Sequence, residues 1–244
     1  MPDVTAIVVC HNEAAVLPRC LASLSFCREI IVVDKASADD SAAVARAAGA
    51  RVLAAPRDPP FVEVTRAEVA PLARHEWLLF LDPDETLPPA LATDFDRLMA
   101  AHPAAGVFGL PMRYFFRGRP LRHGFWGRED MHLPRLVHRD RVSLVPRIHR
   151  GVVVKPGFES IRIPATEANR IRHDWAHSYR EVWAKHQRHL SCEEHTRGPS
   201  LRAGARGFWR SFVLLRGWRD GWRGFVLSLL YAHYVLRIGG SVRR

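Results

Sequence analysis

The segment that most constrains this chain is Trp77-Leu78-Leu79-Phe80-Leu81-Asp82-Pro83-Asp84-Glu85. A run of large apolar residues ends abruptly in three acids. An apolar run without alternation is the pattern of a strand buried on both faces, the environment of a parallel sheet covered by helices. The acids then sit at the carboxyl end of the strand, where open α/β sheets bind their ligands. Asp82 and Asp84 flank a single residue, so both can face a common site. Two carboxylates there suit a hard divalent cation, and such a cation suits a diphosphate. The plainer alternative is a strand followed by an acidic turn.

The residues before this segment alternate strand and helix patterns. Thr5 to Cys10 is a short β-rich run that ends in the polar loop His11-Asn12-Glu13. Apolar residues at Val16, Leu17, Leu21 and Leu24 predict a helix over 14–25. Glu29 to Val33 reads as a second buried strand, ending at Asp34. Ser37 to Ser41 supply helix-cap chemistry for an alanine-rich helix over 42–48, with Gly49 as its C′ residue. Arg51 to Ala54 is a third strand, and the pattern predicts a helix over 62–74 that Pro71 weakens or ends. This β-α-β-α-β order argues for an α/β fold with a mostly parallel sheet and right-handed crossovers.

From about Val107 the pattern changes. Val107 to Phe116, with a turn at Arg117-Gly118-Arg119, reads as strand and hairpin. The glycine- and aromatic-rich stretch 123–128 reads as a loop, 133–145 as short strands, and 172–195 as a helix with one buried face. His173 and His177 then stand at i and i+4 and could share an ion, but no third ligand accompanies them, so a core or acceptor-site role is preferred. From Leu201 the chain mixes Trp209, Trp218 and Trp222 with Arg202, Arg206, Arg210, Arg216, Arg219 and Arg223, and Asp220 is the only acid. Tryptophan and arginine at helical spacing is the composition of an interfacial membrane helix. The other reading of the tail is a helical hairpin packed on the domain.

A formal charge of +11 over 244 residues calls for an anionic partner. Cys10, Cys20, Cys27 and Cys192 form no CxxC pair and no zinc spacing, so they read as reduced thiols of a cytosolic protein. The N-terminus lacks the charged and apolar regions of a secretory signal, and no uncharged apolar run reaches the roughly 18–20 residues that span a bilayer.

Several of these segments together resemble the inverting nucleotide-sugar glycosyltransferases of family 2, with the Rossmann-like A-type fold. The opening strand with Asn12-Glu13, the stretch Val32-Val33-Asp34 through Ser37 and Asp39, and the stretch Trp77 to Glu85 carry the match, with Arg66 at the spacing where the family has an arginine. Phe125-Trp126-Gly127-Arg128-Glu129-Asp130 resembles the family's acidic loop, and Pro134-Arg135-Leu136-Val137 its following strand. Asp220-Gly221-Trp222-Arg223-Gly224-Phe225 resembles the tail of the small β-glucosyltransferases that build the inner core of lipopolysaccharide. Three positions depart from the family pattern: Ala67 stands for asparagine, Ala36 for a frequent glycine, and His149-Arg150 for His-Glu.

The resemblance implies a division of roles along the chain. Residues 1–105 would bind the nucleotide sugar, 106–198 would complete the same domain with the acceptor and catalytic half, and 199–244 would form a basic, aromatic, amphipathic helical tail. It implies a UDP-sugar donor, a lipid-linked or cell-envelope glycan acceptor, and a divalent metal, Mg²⁺ or Mn²⁺. Asp84 is then the expected metal ligand, with Asp82 beside it on the metal or the ribose. Asp34 would bond the base, Asn12 and Glu13 would line the nucleotide, and Arg66 would meet phosphate. Asp130 is the expected general base, with Glu129 in reserve, and Trp126 would stack on a sugar or anchor its loop. The expected location is the cytoplasmic face of the cell membrane, held by an anionic lipid surface.

Two other functions fit parts of the sequence. A nucleic-acid-binding protein would explain the charge, but no recognition module surrounds the arginines and the acid cluster repels phosphate, so no nucleic-acid partner is expected. A nucleotidyltransferase of related design would need a glycine- and lysine- or arginine-rich triphosphate loop after the first strand, and His11-Asn12-Glu13 is not one.

Overall fold

A computed structural model of the chain describes residues 3–58, 61–145, 151–192 and 198–239. In chain order the elements are β1 (Val4–Cys10), α1 (Leu17–Ala22), β2 (Glu29–Asp34), α2 (Ser41–Ala47), β3 (Arg51–Ala54), α3 (Val62–Val69), β4 (Trp77–Leu81), β5 (Glu85–Thr86), α4 (Pro89–Ala92), α5 (Phe95–Ala101) and β6 (Ala105–Phe116). They continue as β7 (Arg119–Pro120), α6 (Gly124–Gly127), β8 (His132–His138), β9 (Val142–Leu144), β10 (Val152–Val154), β11 (Glu159–Arg162), β12 (Ile171–Ala176), α7 (Tyr179–Cys192), α8 (Leu201–Phe208) and α9 (Gly221–Arg237). The chain divides into two compact units, one of residues Met1–Met112 and His132–His173, the other of Arg113–Met131 and Asp174–Arg244. This division is discontinuous in sequence.

In the first unit the strand order runs β3-β2-β1-β4-β8-β6, parallel from β3 to β4, with β8 antiparallel to both β4 and β6. This is the expected Rossmann-like α/β architecture. All seven residues of β1 are buried, as befits a strand covered on both faces. Ile7, Val9, Ile31, Val33, Leu78 and Phe80 share one core with Val69, Ala70 and Ala73. Each of the larger side chains among them contributes about 1.5–3 kcal/mol by leaving water.

Proline and glycine decide where the helices begin and end. Helix α1 starts at Leu17, later than the apolar spacing predicts, because Pro18 is tolerated only in a first turn. Helix α3 stops at Val69, and Pro71 sits in a single 3₁₀ turn over Ala70–Leu72. Gly49 ends α2 as expected, at φ +79°, where its N–H bonds Arg46 O and the next N–H bonds Ala45 O.

Two expectations fail in the second half of the chain. The stretch 172–195 is not one helix: Ile171–Ala176 is a strand, and the helix begins at Tyr179. In the ladder Arg172 pairs with Thr86 and His173 with Glu85, so sheet hydrogen bonds override the helical pattern there. His173 therefore lies in a strand, which removes the i, i+4 pairing with His177. The glycine-rich stretch expected as a loop contains the one-turn helix α6.

The second unit contains a tight hairpin in which Arg117 and Gly118 both have positive φ, as a type I′ turn requires. Its core joins Phe125, Ala203, Tyr231 and Val235, with the rings of Phe125 and Tyr231 stacked 4.0 Å apart. Helix α8 continues into a π-helical turn over Trp209–Leu214, which buries Ser211 against Ser228 at 2.9 Å. The Ser211 hydroxyl also accepts the Phe125 N–H. Gly224 is required where α9 begins, because a Cβ there would lie 1.8 Å from the carbonyl oxygen of Gly217. Cys10, Cys20 and Cys27 are free and buried, whereas the Cys192 side chain and the His149-Arg150 pair lie outside the described residues.

Candidate active site

The parallel register brings three strand ends of the first unit to one edge. Cys10 pairs with Asp34 and Val8 with Leu81, so the loops after β1, β2 and β4 emerge side by side. These loops carry Asn12, Glu13, Asp34, Asp82 and Asp84, at the edge where α/β sheets bind ligands.

The first two loops are stitched to each other. Asn12 adopts φ 56°, where asparagine is tolerated, and its Oδ1 accepts the Ala38 N–H at 2.7 Å. Its own N–H donates to the Ser37 hydroxyl, and the Glu13 N–H to the Ser41 hydroxyl. The Glu13 carboxylate accepts the His11 N–H. Asp34 receives the Ser37 N–H on Oδ1 at 3.2 Å. Asn12 and Glu13 thus fix the shape of the loop pair, and Asp34 keeps its second oxygen at the end of β2. Ala36 lies in this loop at φ 52°, a conformation that favours glycine, which accounts for the frequent glycine in the family pattern.

A dense ionic network lies at the end of β4. Arg66 donates from Nη2 to Asp82 Oδ1 at 2.7 Å, and its guanidinium lies over the Phe80 ring. Arg135 of β8 donates from Nη2 to Asp82 Oδ2 at 3.0 Å and also to the buried Glu85 Oε1. The Asp82 N–H in turn donates to Glu85 Oε2. His173 lies with Nε2 3.3 Å from Asp84 Oδ1 and Nδ1 3.4 Å from Glu85 Oε1.

The environment sets the charge of each member. Burial alone would raise the Asp82 pKa, but Arg135 and then Arg66 hold it well below the ordinary carboxylate range. Glu85 is pushed up by burial and by Asp82, against the pull of Arg135. Burial disfavours a charged His173, yet Asp84, Glu85 and Asp82 more than compensate and raise its pKa.

The two acids of the Asp82-Pro83-Asp84 turn have different partners. Each Asp82 oxygen is bonded to an arginine, which ties this acid to protein cations. Asp84 instead faces His173. Among the described residues no group of three or more His, Cys, Asp or Glu is arranged to enclose an ion. Mg²⁺ and Mn²⁺ at phosphate sites commonly use one or two protein ligands and take the rest from phosphate and water. Asp84 supplies a carboxylate of that kind, and the His173 imidazole beside it would ligate only in its neutral form, as a donor better suited to Mn²⁺ than to Mg²⁺. The sequence pattern alone gives Arg135 no role and puts His173 on a helix. An arginine inside the apolar run Leu133 to Val137 was the available signal for the first. Ser178 capping the Glu181 N–H was the signal that the helix starts after His173.

The remaining candidates belong to the second unit. Glu129 and Asp130 form an exposed turn after α6, and Asp130 Oδ1 pairs with Arg128 Nε at 3.0 Å. The Arg128 guanidinium lies 4.7 Å from the centre of the Phe125 ring, which secures the base of the turn. Trp126 stacks on Trp175 at 4.9 Å and meets Phe125 and Tyr231 edge-on, so its ring anchors the loop. Asp220 accepts hydrogen bonds from the backbone N–H groups of Arg122 and His123.

Comparison with known proteins matches residues 5–150 to the family described as Glycosyl transferase family 2. An uncharacterized glycosyltransferase of Rickettsia felis is 33% identical over 103 residues, 42% of this chain and 36% of that protein. A TPR repeat-containing protein of Synechococcus elongatus is 38% identical over 88 residues, 36% of this chain and 22% of that protein. The chain thus spans about a third or less of the curated relatives it matches first. Among solved structures, S. aureus TarS aligns over 46% of this chain and 36% of its own, at 20% identity and a TM-score of 0.42. Glucosyl-3-phosphoglycerate synthase from Mycobacterium tuberculosis, solved with Mn²⁺ and UDP, aligns over 47% of this chain and 44% of its own, at 22% identity and a TM-score of 0.38.

Proposed function

The chain belongs to glycosyl transferase family 2, and on that premise we propose that it moves a hexosyl group from a UDP-sugar to a hydroxyl of a lipid-linked or cell-envelope glycan, with inversion. The observation that carries this reading is the cluster of Asp82, Asp84 and His173 at the sheet edge that also carries Asp34.

Asp34, oriented by the Ser37 N–H, bonds the uracil through its remaining oxygen. The stitched loops of Asn12 and Glu13 form the wall beside the nucleotide. Arg66 and Arg135 keep Asp82 ionised, so Asp82 serves as an acceptor for ribose hydroxyls. Asp84 and His173 are the residues that would hold Mg²⁺ or Mn²⁺, and the ion would supply neutralisation of charge on a departing diphosphate.

Inversion requires one in-line displacement. The anomeric carbon–phosphate oxygen bond breaks, the acceptor oxygen bonds the anomeric carbon from the opposite side, and a carboxylate takes the hydroxyl proton. Asp130 is that base, and Glu129 orients the acceptor. The tail motif around Asp220 favours a lipopolysaccharide-core acceptor and glucose as the transferred sugar.

Donor binding and hydrolysis across a panel of nucleotide sugars test this reading, with Mn²⁺, with Mg²⁺ and with EDTA, on the wild type and Asp84→Ala. Metal-dependent binding of one UDP-sugar, lost in the variant, is the expected result. Binding of no nucleotide sugar under any of these conditions overturns it.

A further inference from the structure

Helices α8 and α9 bury one side against each other and leave another side open. Leu201, Ala205, Phe208 and Phe212 recur at i, i+4, i+7 and i+11, and Trp222, Phe225 and Leu229 at i, i+3 and i+7. Each set lies along one helical face. Ring contacts join the two faces: Phe208 stacks on Phe212 at 5.2 Å, Phe212 meets Phe225 at 5.7 Å, and Trp222 stacks on Phe225 at 5.3 Å. Around this seam Leu201, Trp209, Leu214, Trp218, Trp222 and Leu229 are between 46% and 81% exposed. Large apolar side chains grouped in this way mark a surface that meets something other than water.

The charge around the seam has one sign. Residues 198–239 contain seven arginines and a single acid, Asp220. That acid is engaged with the Arg122 and His123 N–H groups and with His123 Nδ1 at 3.1 Å. Arg202, Arg206 and Arg210 repeat every fourth residue beside the apolar stripe, and all three are exposed. The Arg219 guanidinium lies over the Trp218 ring at 5.3 Å. Among the described residues no helix is long and apolar enough to cross a membrane.

We propose that this face docks on the surface of a bilayer carrying anionic headgroups. Trp209, Trp218 and Trp222 enter the boundary between headgroups and acyl chains, where indole rings are favoured. The arginines reach lipid phosphates while their stems cover apolar surface. An aromatic seam ringed by cations, in a described segment whose one acid, Asp220, is engaged elsewhere, is complementary to such a surface in both hydrophobicity and charge. The proposal stands apart from sugar transfer, because docking needs no donor, acceptor or metal.

Vesicle flotation of the full chain tests it, using phosphatidylcholine vesicles with and without phosphatidylglycerol. The wild type should float with the phosphatidylglycerol vesicles, release in high salt, and have its tryptophan fluorescence quenched by brominated acyl chains. A Trp218→Ser/Trp222→Ser variant and an Arg202→Gln/Arg206→Gln/Arg210→Gln variant, both with unchanged circular dichroism, should each lose about tenfold or more in binding. Wild-type protein that stays unbound, or whose fluorescence bromine leaves unquenched, overturns the proposal. So does binding that both variants retain, or a lipid-independent dimer that covers the seam in sedimentation velocity.

Discussion

The Nε2 of His173 lies 3.3 Å from Oδ1 of Asp84. Two residues far apart in sequence thereby present a nitrogen and an oxygen to the same point, beside a carboxylate, Asp82, that two arginines already occupy. The two acids of the turn thus differ in partner: Asp82 is held by Arg66 and Arg135, and Asp84 is paired with His173.

If that pair holds the metal, His173→Gln should weaken Mn²⁺-dependent UDP binding at least about tenfold, comparable to Asp84→Asn. Titration calorimetry of UDP with and without Mn²⁺ measures it. A His173→Gln protein with the wild-type metal dependence would remove His173 from the site.

Arg135 holds two acids, Asp82 and the buried Glu85. Arg135→Ala leaves a buried carboxylate without its cation, so we expect a loss of about 3–5 kcal/mol in unfolding free energy. Urea denaturation reads this directly, and a loss below about 1 kcal/mol would show that the network relaxes around the deletion.

Ala36 sits at φ 52°, in the left-handed region. Glycine relieves the Cβ strain there but gains freedom in the unfolded chain, so Ala36→Gly should stabilise by about 0.5–1 kcal/mol. A lower urea midpoint in the variant would show that the Ala36 methyl makes contacts worth more than the strain.

Burial pushes the thiols of Cys10 and Cys27 up to about 12, with Asp34, Glu13 and Asp39 adding to the effect on Cys10. A raised folded-state pKa gives stability that is complete below the ordinary thiol value of about 8.5 and fades as pH rises toward the folded value. The wild type should therefore lose stability from about pH 8.5 upward, and Cys27→Ala should lose less over the same range. Urea midpoints at neutral and alkaline pH check this, and parallel slopes for the two proteins would contradict it.

Much of the first unit is legible in the amino-acid sequence. The β1, β2 and β4 segments read correctly because buried parallel strands are continuous apolar runs, and their polar ends mark the carboxyl edge. Gly49 and Pro71 punctuated the helices as their backbone chemistry requires. The acidic turn after Leu81 is legible as the polar end of β4 for the same reason. The strand that begins at Ile171 is not legible, because Arg172 and His173 pair with Thr86 and Glu85, and a local pattern carries no record of a remote partner strand.

The amino-acid sequence by itself determined the α/β class, the sheet edge that carries the acids, and the division between apolar core and cationic, aromatic tail. These are consequences of local periodicity, backbone propensity and composition, which act within a few residues. Tertiary structure decided which acid is tied to arginine and which faces histidine, that Arg66 turns inward to Asp82, and that one side of the α8–α9 pair is packed while the other stays open. Those outcomes depend on distances between residues that only the folded sheet and helices bring together, and an ionic contact has no signature in spacing along the chain.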